Sequence, residues 1–281
     1  MLLPVLLPLS GACAGLRGGP GETFGAPSPL AFSATVAGAV PARVDLSPYF
    51  PQPGDQGRQN SCVAWAAAYV RTYEERALLG TIGLEDSVPL FSPAFVYNQI
   101  NRGRDVGARI PEALRLIEKK GIAPLADMPY READFLTRPD SRTRARARRF
   151  RSHDWRRMDA RDVDELRAAL LAGFPVIVAA RVDSAFMRVR PGQVWSDTVS
   201  AGRLGHAVAL VGYDDTRGAF KVINSWGPRW GEGGFGWIAY SLMPVIAREG
   251  YVDTRAPRST LAAVRFNRAV RAGAAVGEAG R

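Results

Sequence analysis

The spacing of apolar and polar positions divides the chain into a helical first half and a strand-rich second half. From Cys62 onward, alanines and large apolar residues recur at helical spacing. The hydroxyl residue Ser61 precedes this run and Gly80 follows it, so the pattern predicts a helix with Cys62 in its first turn. Three further helices are predicted at 92–101, 110–119 and 162–173.

Apolar runs of the β type dominate the chain after residue 174. They lie at 175–182, 206–215, 219–227 and 234–241, with turn residues between them. No segment repeats at a fixed period, which excludes solenoids and propellers. Helices followed by strands, rather than alternating with them, predict a fold of the α+β class.

Both ends of the chain differ in composition from its body. Residues 1–14 form a leucine-rich run that ends in small residues and predicts an export signal, while 15–39 are rich in Gly, Pro, Ser and Ala and predict a flexible linker. No Lys or Arg precedes Arg17, so a simple apolar N-terminus is the alternative, and Cys13 suggests a lipid anchor more weakly. Residues 255–281 form a basic, alanine-rich tail to which we assign no role.

Composition restricts the class of protein further. A chain of 281 residues with 47% hydrophobic and 23% charged residues is long enough and apolar enough for one large globular unit or two closely packed lobes. Its two cysteines, Cys13 and Cys62, are too few for a disulfide framework. No apolar stretch outside the N-terminus reaches the roughly 18 residues of a membrane span, so none is predicted.

The formal charge of +10 favours anionic surfaces or substrates but does not by itself identify nucleic acid. Many arginines lie between residues 138 and 157, without an interleaved aromatic residue until Phe150. Because nucleic-acid binding requires a shaped surface as well as charge, we expect a solvated loop or edge strand there and no nucleic-acid partner.

The candidate chemistry centres on Cys62 and His206. A helix N-terminus favours the thiolate of a first-turn cysteine, although a cysteine there can also be a small buried apolar residue. His206 opens an apolar strand 144 residues later and is either a structural histidine or the base that takes the thiol proton. Asn224 can orient the imidazole, Trp226 can cover that contact, and Gln56 can donate to an oxyanion together with the Cys62 N–H.

These residues occur in four separated motifs that resemble the papain-like cysteine peptidase family. The matching residues are Gln56-Gly57, Ser61-Cys62, Gly205-His206-Ala207-Val208 with Val211-Gly212-Tyr213, and Asn224-Ser225-Trp226-Gly227 with Trp230-Gly231 and Gly233-Gly234. The motifs stand in the family's order. His206 has the expected spacing from Cys62, whereas Asn224 lies 162 residues after it, slightly beyond the usual range of about 130–150, which a modest loop insertion explains.

The resemblance implies a peptidase domain at 40–254, with a helical lobe at about 55–135 and a β-barrel-like lobe at about 150–245. The substrate would lie in the cleft between the lobes. The residues expected to contact the substrate are Gly107, Ala108, Ile110, Gly205 and Trp226. Among these, Ile110 would help line the pocket for the side chain that precedes the residue at the cut bond.

Two positions depart from the family pattern. Val63 follows the nucleophile where plant and animal relatives carry tryptophan, and Trp65 lies two residues further on, which resembles bacterial branches of the family. Gln59 replaces a cysteine three residues before the nucleophile, and the usual disulfides are absent from the sequence.

The residues and the resemblance together favour a thiol-dependent peptidase that acts through an acyl-enzyme on a peptide or protein substrate. It requires no metal or organic cofactor, and we expect a monomer that is secreted or periplasmic. Two alternatives remain open at this stage: a catalytically silent peptide-binding protein, and a transpeptidase or ligase that uses the same site.

Overall fold

The helices of the first half form where the sequence pattern predicts them. The computed structural model describes residues 40–79, 88–198 and 204–254, so the predicted stop at Gly80 lies outside the described residues. Within them the helices are α1 (Cys62–Leu79), α2 (Pro93–Ile100), α3 (Ile110–Lys120), α4 (Ser141–Ala147), α5 (Val163–Leu171), α6 (Ser184–Met187) and α7 (Met243–Ile246). The four predicted helices are thereby confirmed as α1, α2, α3 and α5.

Side-chain caps explain where two of these helices begin. The Ser92 hydroxyl accepts a hydrogen bond from the Phe95 N–H at 3.0 Å, and Pro93 occupies the first turn of α2. The Asp162 carboxylate accepts from the N–H groups of Asp164 and Glu165, both at 3.0 Å, at the start of α5. Each cap satisfies donors that the helix itself leaves unpaired.

The arginine-rich stretch is more structured than the sequence predicts. Residues 141–147 form α4, so the expectation of a loop or edge strand is wrong there. The Asp140 carboxylate caps this helix by accepting from the Thr143 N–H at 2.7 Å, while Thr143 and Ala147 face the interior. The expected edge strand is confirmed only further on, at Trp155–Met158.

The strands of the described residues form one mixed sheet. They are β1 (Arg43–Asp45), β2 (Trp155–Met158), β3 (Val176–Val182), β4 (Val194–Trp195), β5 (Leu204–Asp214), β6 (Ala219–Ile223), β7 (Phe235–Ala239) and β8 (Ala247–Asp253). Their order is β2-β8-β3-β5-β6-β7-β4, with β1 also pairing with β5, and the β4–β7 pair alone among them is parallel.

The core lies where α1 meets the sheet. β5 is buried from His206 to Asp214, and α1 packs against it as well as against α2 and α3. Because small residues such as Ala64 and Ala67 are almost fully buried, α1 approaches its neighbours closely on several sides. The helix that begins at Cys62 therefore rests on the strand that carries His206. Among the described residues, no helix is both long and apolar enough to cross a membrane.

Candidate active site

His206 and Asn224 form a buried hydrogen bond. His206 Nε2 lies 2.7 Å from Asn224 Oδ1, and both side chains are 1% exposed. An amide oxygen can only accept, so Nε2 carries the hydrogen. The Ser225 N–H also donates to Oδ1 at 2.8 Å, which fixes the amide orientation. Within the described part of the chain, His206 Nδ1 is buried and has no hydrogen-bond partner, so this nitrogen is available to take or give a proton.

Aromatic rings cover this pair. Trp226 stacks on the His206 ring, with centroids 4.4 Å apart and planes inclined by 27°. Phe186 packs against Trp226 with centroids 5.4 Å apart, and Trp230 donates its indole N–H to the Phe186 carbonyl oxygen at 3.0 Å. The hydrogen bond thus lies in an apolar, water-poor surrounding, where it is electrostatically stronger than in solvent.

Gln56 is bound to the residue that follows Asn224. Its backbone N–H donates to the Ser225 carbonyl oxygen at 2.8 Å, and its Oε1 accepts from the Ser225 hydroxyl at 2.6 Å. Its Nε2 donates one hydrogen to the Gln59 carbonyl oxygen at 2.7 Å. The side-chain amide therefore has a defined orientation beside the start of α1.

Cys62 is a buried thiol at the first position of α1. No acidic residue occupies the first turn of that helix, so no side-chain charge there opposes the positive end of the helix dipole. The positive end of the dipole favours negative charge on the sulfur, whereas burial of the thiol by itself opposes it. Since α1 packs against β5, the elements that carry the sulfur and the imidazole are in direct contact.

The expected substrate-binding residues lie in three places. Gly107 has φ of 81° and donates its N–H to the Tyr97 hydroxyl at 3.2 Å, and Ala108 is buried beside it. Ile110, the first residue of α3, is fully buried. Gly205 precedes His206 on β5 and pairs with β3, whereas Trp226 covers the His206 ring. Their contacts with substrate stay predictions.

Two neighbours of this site were not identified from the sequence as functional residues. Ser225 stands in a sequence motif that does not indicate its role, which is to fix Gln56 through its hydroxyl. Tyr130 belongs to no motif, although its hydroxyl contacts Gln56 O and Ser61 Oγ, each at 2.8 Å. Tyr130 follows Ser61 by 69 residues, and no local pattern indicates a contact over that separation.

The chain is similar in sequence to several known proteins. A protein 32% identical over 216 residues is gamete and mating-type specific protein A of Dictyostelium discoideum, with 75% of this chain and 46% of that protein covered. A cathepsin B-like protein, CP3 of Giardia intestinalis, is 30% identical over 194 residues, covering 66% of this chain and 63% of that protein. The chain therefore spans 46% of the length of the first relative and 63% of the length of the second.

Solved structures share the fold. The cysteine protease xylellain from Xylella fastidiosa is 25% identical with a TM-score of 0.71, covering 86% of this chain and 96% of that one. The bromelain protease from Ananas comosus is 24% identical with a TM-score of 0.63, covering 75% and 98%. The family model described as papain family cysteine protease matches residues 40–250, the same part of the chain that carries the site. By this match, this fold and the four motifs, the chain belongs to the papain family of cysteine proteases.

Proposed function

We propose that the protein is a thiol-dependent peptidase that hydrolyses peptide bonds through an acyl-enzyme intermediate. The observation that carries this proposal is the buried bond between His206 Nε2 and Asn224 Oδ1, which leaves Nδ1 for proton transfer. A structural histidine in an apolar core would normally have both ring nitrogens satisfied. Membership of the papain family supports the same activity.

In the acylation step, Cys62 gives its proton to His206 Nδ1, and the thiolate attacks the carbonyl carbon of the peptide. A bond forms between sulfur and carbon while the carbonyl oxygen becomes an oxyanion. The Gln56 side-chain amide and the Cys62 N–H would donate to this oxyanion. His206 then gives its proton to the leaving amine, the C–N bond breaks, and a thioester remains on Cys62.

Deacylation repeats these steps with water. His206 removes a proton from the water molecule, whose oxygen attacks the thioester carbon. The second oxyanion collapses, the C–S bond breaks, and the carboxylic acid leaves while the Cys62 sulfur recovers the proton. Asn224 acts throughout by holding the imidazole in one orientation and stabilising its charged form. No step requires a metal or an organic cofactor.

We further propose that the substrate is a peptide or protein segment bound by the backbone of Gly107 and Ala108, with Ile110, Gly205 and Trp226 nearby. We also propose that the protein is a monomer. We assign it to a bacterial branch of the family, since Val63 stands after the nucleophile and the Xylella protein shares its fold. Secretion or periplasmic export rests on residues 1–14, which lie outside the described residues.

The chain's two histidines provide a matched test of the function. We would measure cleavage of a fluorogenic peptide library by the wild type and by three variants, Cys62→Ala, His206→Ala and His153→Ala. His153 is exposed and lies on the segment before β2, so its variant is the control. Cleavage should be lost in the first two variants and retained in the third.

Labelling separates the alternatives. A peptidase should be inactivated by iodoacetamide at neutral pH, with the carboxamidomethyl group mapped to Cys62. A catalytically silent binding protein would neither cleave the library nor label at Cys62. A ligase would transfer the acyl group to an added amine in preference to water. Cleavage that persists in Cys62→Ala would overturn the proposed mechanism.

A further inference from the structure

Tyr130 lies beside the nucleophile loop, by which we mean residues 56–61, immediately before Cys62 and α1. It belongs to the segment between α3 and α4, and its ring packs edge-on against Trp65 of α1, with centroids 4.8 Å apart and planes inclined by 67°. The ring is partly buried against the core. This packing holds the phenol in place and directs its hydroxyl toward the loop.

The hydroxyl contacts both ends of this loop. Tyr130 Oη lies 2.8 Å from Gln56 O and 2.8 Å from Ser61 Oγ. A carbonyl oxygen can only accept, so the single phenolic hydrogen goes to Gln56, and Ser61 must donate its own hydroxyl hydrogen to Tyr130. Burial raises the pKa of Tyr130 to about 12, so the phenol keeps this hydrogen throughout the neutral range.

The two ends of the loop have separate anchors. Gln56 is held by Ser225, which follows β6 in the strand-rich half of the molecule. Ser61 is held by α1, because its carbonyl oxygen accepts from the N–H groups of Ala64 and Trp65 at 2.9 and 3.1 Å. A relative shift of these anchors would change the distance between Gln56 and the residue after Ser61, which is Cys62.

We propose that Tyr130 is a positioning residue of the oxyanion site. Its hydroxyl sets the separation between the Gln56 amide and the Cys62 N–H, the two donors to the oxyanion. This inference rests on the proposed peptidase function and adds to it a residue that does not touch the substrate. Since the donors act on charge that develops in the transition state, their spacing affects the turnover rate more than substrate binding.

The chain offers a matched pair of tyrosine variants. Tyr130→Phe removes the hydroxyl and keeps the ring that packs on Trp65. Tyr73→Phe is the control, because Tyr73 is a buried residue of α1 whose hydroxyl donates to the Gly173 carbonyl oxygen at 2.7 Å, away from Gln56 and Ser61. Both variants lose one hydrogen bond to a backbone carbonyl, and Tyr130→Phe also removes the acceptor of the Ser61 hydroxyl hydrogen, so urea unfolding of both variants measures their difference in stability.

Three measurements distinguish positioning from general damage. In Tyr130→Phe we expect kcat for a peptide substrate to fall by about 10- to 100-fold, because displacing a catalytic donor by about 1 Å has effects of that order, while KM changes less than about threefold. Inhibition by a peptide aldehyde, whose carbonyl oxygen would occupy the oxyanion site, should weaken to a similar extent. Alkylation of Cys62 by iodoacetamide forms no oxyanion and should keep its rate and its pH profile. Tyr73→Phe should keep kcat, KM and aldehyde affinity.

Other outcomes would overturn the inference. A Tyr130→Phe variant with the kcat of Tyr73→Phe would show that the hydroxyl does not position the donors, while the peptidase function would still stand. A parallel loss of alkylation rate would place the effect on the thiolate instead of the oxyanion site. A wild-type protein that cleaves no peptide would overturn both the proposed function and this inference.

Discussion

His206 Nε2 and Asn224 Oδ1 lie 2.7 Å apart, although one residue belongs to β5 and the other follows the end of β6. β5 and β6 are antiparallel neighbours, so the sheet itself brings the two side chains together. The contact assigns the hydrogen to Nε2 and leaves Nδ1 as the proton-transfer atom. A single strand pairing therefore determines which nitrogen can serve as the base.

Removing the Asn224 side chain should lower activity without unfolding the protein. In Asn224→Ala the imidazole loses the acceptor that orients it. We therefore expect kcat/KM to fall by about 10²-fold, which is the order of loss when a reacting group is misplaced by about 1 Å. The measurement is steady-state cleavage of a fluorogenic peptide. Asn98→Ala is the control, since Asn98 is also buried and donates to the carbonyl oxygens of Asp134 and Thr137. If both variants lose activity equally, the orienting role is wrong.

Trp226 should hold the catalytic imidazole in place, because its ring covers the hydrogen bond that orients His206. In Trp226→Ala, water would reach the His206–Asn224 hydrogen bond and compete for it, so the imidazole would be held less firmly. We expect kcat/KM for a fluorogenic peptide to fall by about 10-fold or more, since the orientation of the base is lost. Trp195→Ala serves for comparison, because Trp195 packs on Phe186 at 4.9 Å in the same aromatic cluster. A kcat/KM in Trp226→Ala equal to that of Trp195→Ala would contradict the shielding role.

Gln59 should contribute to stability where the family resemblance expects a disulfide cysteine. Its Nε2 donates to the Glu132 carbonyl oxygen at 2.9 Å and lies within 3.5 Å of two neighbouring carbonyl oxygens, which ties the nucleophile loop to the segment after Tyr130. Loss of a buried hydrogen bond costs about 1–3 kcal/mol, so Gln59→Ala should reduce the free energy of unfolding in urea by that order. In Gln99→Ala, which removes a bond within α2 and an exposed bond from Lys120, the loss should be smaller. Equal losses would argue against a special role for Gln59.

The Asp45–Lys221 pair should make the free energy of unfolding depend on pH in the acid range. Burial alone would raise the pKa of Asp45, but Lys221 at 2.9 Å and hydrogen bonds from Ser47 outweigh it and hold this pKa below its usual value. A carboxyl with a lowered folded-state pKa stabilises the fold above its unfolded pKa of about 3.9, and this contribution is lost as the pH falls through the folded value. Urea unfolding between pH 6 and pH 2 should therefore show a shallower acid loss in Asp45→Asn and in Lys221→Met. If the free energy of unfolding falls with pH as steeply in both variants as in the wild type, the Asp45–Lys221 pair is not the source of the acid sensitivity.

Local patterns were sufficient to predict most of the helices and strands. The cap at Ser92, the alanine-rich run after Ser61 and the apolar runs of β3 and β5 are encoded within a few residues, so periodicity and capping reveal them. The four family motifs are equally local, and the residue types within them indicate the chemistry without any knowledge of long-range contacts. The sequence pattern does not reveal α4, because its arginines dominate the composition and obscure the local capping signal of Asp140, and its buried face becomes evident only when it packs.

The long-range contacts were decided by the tertiary structure. Gly121 illustrates the reason: it ends α3 with φ of 78°, and a Cβ there would lie 1.8 Å from the Ala147 carbonyl oxygen, so the ends of α3 and α4 meet at a glycine. The link from Tyr130 to Gln56 and Ser61 is of the same kind. The sequence by itself determined which residues carry thiol, imidazole and amide groups, because residue type and local spacing are one-dimensional properties. Which nitrogen of His206 faces Asn224, and which phenol spans the nucleophile loop, depends on how separate elements pack, and only the folded chain determines that.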